Sequence, residues 1–461
     1  MADTTNRSPG RGRRLCFCLL SLAMLFAGFF ANTWHAAAPD WFAKHQRDTE
    51  ALVIGRLVKT RLDGPWSAGG LNGAWLAQDP HEQWLTGWQA EAQYELHAGG
   101  RTDSGYQPYL SQNGGQGFVL GLLDRLLPWS PGARLEGFHA LTALSTAAAL
   151  TGVLLWFLVE FGGWAARCAL AAMLLSQWLT VFGRNLWWSL AMFYVPMLVL
   201  MAWFARRPVR EHHAGRALAA LVFVAVFGKC FATGFEYLTT TLVMMVTPFV
   251  YHAVRDRLPA RSFGKGALVL AGSSCLAVLA SLLLLLLQIA AVKGSLAAGV
   301  EHVVWSLGRR THGATGAYTA EYAASLDAGV VDVLWRYVAG TFLDLGNYVT
   351  VSSPLLADVV LKIRYLHLLV LFLLATLFLL ARRNVVEGER RRHVALVVAT
   401  WFSLLAPLSW FVVFKAHSVV HTHMNFIVWQ MPFVFFGAAS CGVAVRAVLV
   451  RSAPAEASPQ A

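Results

Sequence analysis

Five groups of residues in this 461-residue chain have types and spacings that could do chemistry. The first is Arg47-Asp48-Thr49-Glu50, followed by Arg56. Two carboxylates so placed could serve as a general base and its orienting partner, activating an acceptor hydroxyl or amine against a sugar carbon. At i and i+2 they cannot both point the same way on a regular helix, so a helix start with Asp48 near the cap is the expected geometry. The plainer reading is that Asp48 caps a helix over 50–62 and Glu50 favours its positive end. Asp40, after Pro39, is the competing base.

The other four groups are cationic. Arg184 lies in Phe182-Gly183-Arg184-Asn185-Leu186-Trp187-Trp188, and Lys229 and Glu236 flank the turn Thr233-Gly234. Arg309-Arg310-Thr311-His312 and Lys415-Ala416-His417-Ser418-Val419-Val420-His421-Thr422-His423 complete the set. Arg and Lys at a hydrocarbon boundary could hold a phosphate, Arg through its bidentate fork. Snorkelling to the interface is the plainer reading. Lys229 and Glu236 are each other's expected partners, since ionisable groups at membrane depth pair. His417 and His421, four apart, would share a helical face as metal ligands do. No carboxylate accompanies them locally, so phosphate or hydroxyl binding by Lys415, His421 and His423 is the preferred reading.

The elements that must position these residues follow from composition. The chain is 57% hydrophobic and 13% charged, against about 25% charged in ordinary soluble domains. That excludes a soluble enzyme, a disordered chain and a coiled coil. The apolar residues come in blocks long enough to cross about 30 Å of hydrocarbon as helix. Ten spans are expected, at about 15–33, 138–160, 165–182, 186–205, 217–233, 237–254, 267–290, 365–381, 394–413 and 426–445. The net charge is +12. Arg206-Arg207-Pro208-Val209-Arg210, Arg255 to Lys265, and Arg382-Arg383 through Arg390-Arg391-Arg392 all fall on one side. The positive-inside rule makes that side cytoplasmic, with both termini (1–14 and 446–461), and explains the charge without nucleic acid. Arg11, Arg13 and Arg14 before an apolar run also resemble a signal peptide, but the run is longer than a usual signal core and is read as a retained helix. Cys16, Cys18, Cys168, Cys230, Cys275 and Cys441 lie in or beside spans, so no disulfide framework or zinc pattern follows.

Two outer segments are too long to be mere connections, 34–137 and 291–364, flanking spans two to seven within 138–290; the last three spans fill 365–445. Long loops in compact proteins are usually functional. In the first, 50–62 and 116–127 read as helices lying in the membrane interface. Between them Trp66, Trp75, Trp84, Trp88, Tyr106 and Tyr109 stand among Gly, Asn and Gln, a mixture that suits either a sugar-binding surface or an aromatic belt.

The assembled pattern resembles the GT-C superfamily of membrane glycosyltransferases, which take sugars from polyprenyl-phosphate carriers. The similar features are an inner amino terminus, a long first outer loop with interfacial helices and an acidic pair, and a later outer loop with basic residues. The resemblance implies an all-α polytopic fold and an active site facing outward from a bacterial inner membrane. It implies that Asp48 or Glu50 is the base, while Arg184, Lys229, Arg309, Arg310, Lys415 and His421 hold the donor phosphate. Here a threonine separates the acidic pair, which lies farther from the first span than in many members; that spacing keeps Asp40 open. The implied partners are a polyprenyl-phosphate-linked sugar, a glycan, lipid or protein acceptor, and the bilayer; a divalent metal is optional. The rivals are a polymerase or ligase of lipid-linked glycans, a transporter, and a structural or assembly protein.

Overall fold

A computed structural model describes residues 10–76, 90–100, 105–206, 215–349, 353, 358–382 and 385–452. Trp84, Trp88 and the basic run from Arg207 to Arg210 lie outside the described residues, as does the side chain of Asp48. Of the described residues, 79% are helical. Two short antiparallel ribbons interrupt them, β1 (Gly73–Leu76) with β2 (Gly105–Pro108) and β3 (Thr341–Asp344) with β4 (Lys362–Arg364).

The first half of the chain gives α1 (Arg11–Ala31), α2 (Pro39–Asp63), α3 (Ala90–His97), α4 (Gly115–Leu126), α5 (Pro131–Phe161), α6 (Gly163–Leu174), α7 (Gln177–Gly183) and α8 (Ala191–Arg206). There follow α9 (Arg216–Thr233), α10 (Leu238–Arg255), α11 (Ala260–Lys293), α12 (Leu296–Arg310), α13 (Ala320–Asp327) and α14 (Val330–Val338). The last are α15 (Tyr365–Ala381), α16 (Glu387–Ser403), α17 (Leu405–Val413), α18 (Lys415–Val420), α19 (Thr422–Asn425) and α20 (Phe433–Ser452).

By length and composition five helices can cross a membrane: α1, α5, α9, α11 and the run Glu387–Val413. Counting each bent pair as one span gives seven, the pairs being Gly163–Leu174 with Gln177–Gly183, bent by 70°, and Thr422–Gln430 with Phe433–Leu449, bent by 41°. The protein is therefore an all-α multi-pass membrane protein. The three other expected spans fall on α8 and α15, apolar helices of 16 and 17 residues, and on α10. α10 carries Thr239, Thr240, Thr241, Thr247 and His252 around Pro248, which dilutes its hydropathy.

The first long segment is packed against the bundle. α2 does start beside an acidic residue, but at Pro39 with Asp40 in its first turn, and it runs unbroken past Asp48 to Gly64. Ile54, Leu57 and Val58 are buried, covered by α3, α4 and β1; only Leu62 of the expected interfacial stripe is exposed. α4 keeps an outward apolar edge in Val119 and Leu126. Asn113 enters the bundle, donating to Ser281 O at 3.0 Å and Gln288 Oε1 at 3.2 Å on α11, while Ser281 Oγ donates back at 2.9 Å. Irregular backbone at such depth is tolerated where protein buries and satisfies it.

The approach of β1 to α2 depends on Gly55. A Cβ there would stand 2.2 Å from Gly73 O and 3.0 Å from Gln93 Oε1. Gly55→Ala is expected to cost about 1–3 kcal/mol, as overpacking does. Gly264→Ala, on α11 where a Cβ meets nothing within 4 Å, should instead be neutral or stabilise by about 0.5–1 kcal/mol. Thermal unfolding in detergent reads both; equal melting temperatures for the two variants would contradict the contact.

Candidate functional site

α2 turns Gln46, Thr49 and Glu50 toward the turn after α7. Glu50 is fully buried. Its Oε2 accepts from Tyr94 Oη at 3.1 Å and His139 Nε2 at 2.8 Å, and its Oε1 from the Leu186 amide at 3.0 Å. Burial, then the Glu50 carboxylate, push the Tyr94 phenol well up, so it remains a donor. Asn185 donates to Thr49 Oγ1 at 2.6 Å and Gln46 Oε1 at 3.1 Å, and its Oδ1 accepts from the Trp187 and Trp188 amides. Three helices and one turn are thus tied together at Glu50, an arrangement that holds the backbone rather than offering a base. Asp40 is exposed.

The same turn carries Arg184. Its Nη1 donates to Phe30 O at 2.9 Å and its guanidinium lies 4.8 Å from the Phe42 ring centroid, while Nε is buried with no hydrogen-bond partner among the described residues. Trp187, three residues on, stands 5.4 Å from Tyr109. Tyr109 links this region to the second cluster.

That cluster is built at the end of α12. Arg310 donates to Tyr109 Oη at 2.9 Å and to Ser306 Oγ. Burial works against its charge, but Tyr109 and Glu236 outweigh it and hold the guanidinium even more firmly protonated. Arg309 lies between Trp305 and Tyr322, 4.4 and 4.5 Å from their centroids. Glu236 Oε2 faces His417 Nε2 at 3.7 Å. The rings of His417 and His421 are 4.6 Å apart, and His423 follows at 6.1 Å. Burial, then Arg310 and Arg309, push His417 well down; burial, then His417, push His421 down to about 2. At neutral pH these imidazoles are uncharged, so His421 can offer an N–H but no positive charge. The formal charge here is that of Arg309 and Arg310 against Glu236.

Lys229 and Lys415 are committed elsewhere. Lys229, fully buried over the Phe193 ring, donates to the carbonyls of Gly234 and Glu236. Its expected partner therefore receives it through the backbone, because the turn between α9 and α10 leaves those carbonyls without helical donors. Glu236 keeps its carboxylate for His417. Lys415 donates to Leu326 O at 2.7 Å and Ala328 O at 3.0 Å, capping α13. Among the described residues no group of three or more His, Cys, Asp or Glu is placed to hold a metal ion. In the aromatic segment, Trp75 and Tyr106 face each other across β1 and β2 with Lys59 Nζ 5.3 Å from each ring. Trp66 is 79% exposed and rests on Phe118 at 4.9 Å.

Glu236 as the partner of His417, Tyr109 as the partner of Arg310, and His139 and His45 escape a reading of the sequence. Only the i, i+4 spacing of Trp41, His45 and Thr49 hints that His45 faces inward. Burial, then His423, push His45 down to about 3. Its folded pKa lies below its unfolded value of about 6.5, so the unfolded chain takes up the proton first. The stabilisation of neutral His45 is then lost as pH falls below about 6.5, reaching about 2 kcal/mol at pH 5. Unfolding at pH 7 and pH 5 should show this acid sensitivity, and His45→Gln should flatten it; an unchanged slope would show that His45 protonates without cost.

Comparison with protein-family models, with curated proteins and with solved structures finds no match to the chain.

Proposed function

We propose that the chain is a membrane glycosyltransferase, moving a sugar from a polyprenyl-phosphate donor to a glycan, lipid or protein acceptor at the outer face of a bacterial inner membrane. In this reading there are ten spans, with Arg309 and Arg310 on the outer side. One observation carries it: Tyr109 of the first long segment, Arg310 of the second, Glu236 of the α9–α10 turn and His417 of the last turn meet in one polar cluster. Tyr109 and Ser306 use two of the five N–H donors of Arg310, leaving three for a phosphate.

In the transfer step an acceptor oxygen or nitrogen bonds to the anomeric carbon as the bond from that carbon to phosphate oxygen breaks. The electron pair leaves with polyprenyl phosphate, whose growing charge Arg310 stabilises, and the acceptor proton goes to Asp48 or Asp40. Glu50 orients the Arg184–Trp188 turn. A second reading is favoured by the burial of Glu50 under three donors: a ligase or polymerase of lipid-linked glycans would need no carboxylate base.

Proteoliposomes holding the full chain should release polyprenyl phosphate from a labelled polyprenyl-phosphate sugar when acceptor is added. Turnover of only diphosphate-linked oligosaccharide would favour the second reading. Single cysteines at position 312 should be labelled from outside and at 388 only from inside; outside labelling at 388 overturns the orientation.

A further inference from the structure

At the other end of the bundle, several cations have carboxylate partners. Arg255 Nη1 meets Glu160 at 2.8 Å and its Nε meets Asp256 at 2.8 Å, while Glu387 receives Arg257 at 2.7 Å and Arg391 at 3.0 Å. One corner differs. Arg382, just past the end of α15, has a buried Nε with no hydrogen-bond partner among the described residues. Arg446, on α20, places Nη1 3.8 Å from the position a Cβ on Gly162 would occupy, at the turn between α5 and α6. Gly437 of α20 packs on Phe372 of α15, and Thr400 Oγ1 of α16 lies 3.0 Å from Ser440 Oγ of α20, so at about 1.5 Å of rise per residue Arg382, Arg446 and His393 stand at one level. The nearby carboxylate of Glu389 lies against the His393 ring at 3.6 Å. Among the described residues no ion pair involves Arg382 or Arg446.

The surface below is apolar and open. Leu380 on α15, Val445, Val448 and Leu449 on α20, and Trp164 on α6 are exposed, and Arg167 lies 4.8 Å over the Trp164 ring. Exposed aliphatic side chains on spanning helices face acyl chains, and a Trp beside an Arg sits at headgroup level. Two guanidiniums without a carboxylate partner among the described residues, held at the top of such a surface, attract an anion from outside the chain. Basic recesses between spanning helices suit anionic headgroups, each cation adding about fivefold in affinity.

We propose that the corner formed by Arg382, Arg446 and His393 binds the phosphate of an anionic phospholipid, whose acyl chains lie along α15 and α20. Arg382 and Arg446 hold the phosphate oxygens, and His393 separates the two guanidiniums from Glu389.

The test uses the full chain purified in detergent, titrated with phosphatidylglycerol or phosphatidylcholine in mixed micelles, with bound lipid counted by native mass spectrometry. Phosphatidylglycerol should bind preferentially, and Arg382→Gln/Arg446→Gln should weaken it about thirtyfold. Arg257→Gln, which removes a charge at the same end, should change it little. Undiminished binding in the double variant, equal binding of the two lipids, or displacement by millimolar inorganic phosphate would each overturn the proposal. Should the double variant not accumulate, Arg446→Gln alone decides: about fivefold weakening supports the site, and no change rejects it.

Discussion

Glu50→Leu is expected to destabilise the protein by about 3–5 kcal/mol, because it removes the acceptor from three buried donors at once. Tyr94 Oη, His139 Nε2 and the Leu186 amide would each lose their partner, and His139 Nδ1 already has none among the described residues. The effect should appear as lower membrane abundance and a lower melting temperature in detergent. Glu50→Gln keeps the shape and one acceptor oxygen but turns an amide donor toward donors, so it should fall between Leu and the native residue. A chemical role predicts a different pattern, in which Glu50→Gln abolishes transfer while the melting temperature stays within about 1 °C of the native value. That pattern would return Glu50 to the place of base and remove the argument for the second reading.

Removing the guanidinium at Arg310 should lower transfer by about 10²–10³, the usual cost of losing one fixed donor to a developing charge. The loss should fall on the rate constant more than on KM, since the phosphate gains charge only as it leaves. Arg310→Lys keeps the charge but not the fork and should recover only part of the rate. Tyr109→Phe removes one hydrogen bond that aims Arg310 and should cost less, about tenfold. Equal rates for native protein and Arg310→Gln, at matched abundance in proteoliposomes, would detach this cluster from the donor phosphate.

Composition determines that this chain is a helical membrane protein, because covering so many apolar residues requires hydrocarbon. It also separates two long polar segments from the apolar blocks. Hydropathy cannot see direction, and so it merges helices that the structure bends by 70° after Leu174 and by 41° before Phe433. It also cannot distinguish an amphipathic helix lying on lipid from one covered by protein. The face of α2 that carries Ile54, Leu57 and Val58 is apolar in either case, and only α3, α4 and β1 place it inside.

The candidate site divides along the same line. The sequence by itself marks Lys229 as an ionisable group at membrane depth, and Glu50, Arg310 and His417 as groups of outer segments that could do chemistry, since residue type and position relative to the apolar blocks are local properties. Their partners are not local. Glu50 meets residues 44, 89 and 136 positions away, and Arg310 meets one 201 positions away. The nearest-neighbour guess fails at Lys229, where unfilled backbone carbonyls at the end of α9 take the ammonium and leave Glu236 for His417. Only tertiary structure decides such choices, because a buried charge goes to whichever acceptor the packing brings within reach and has least satisfied.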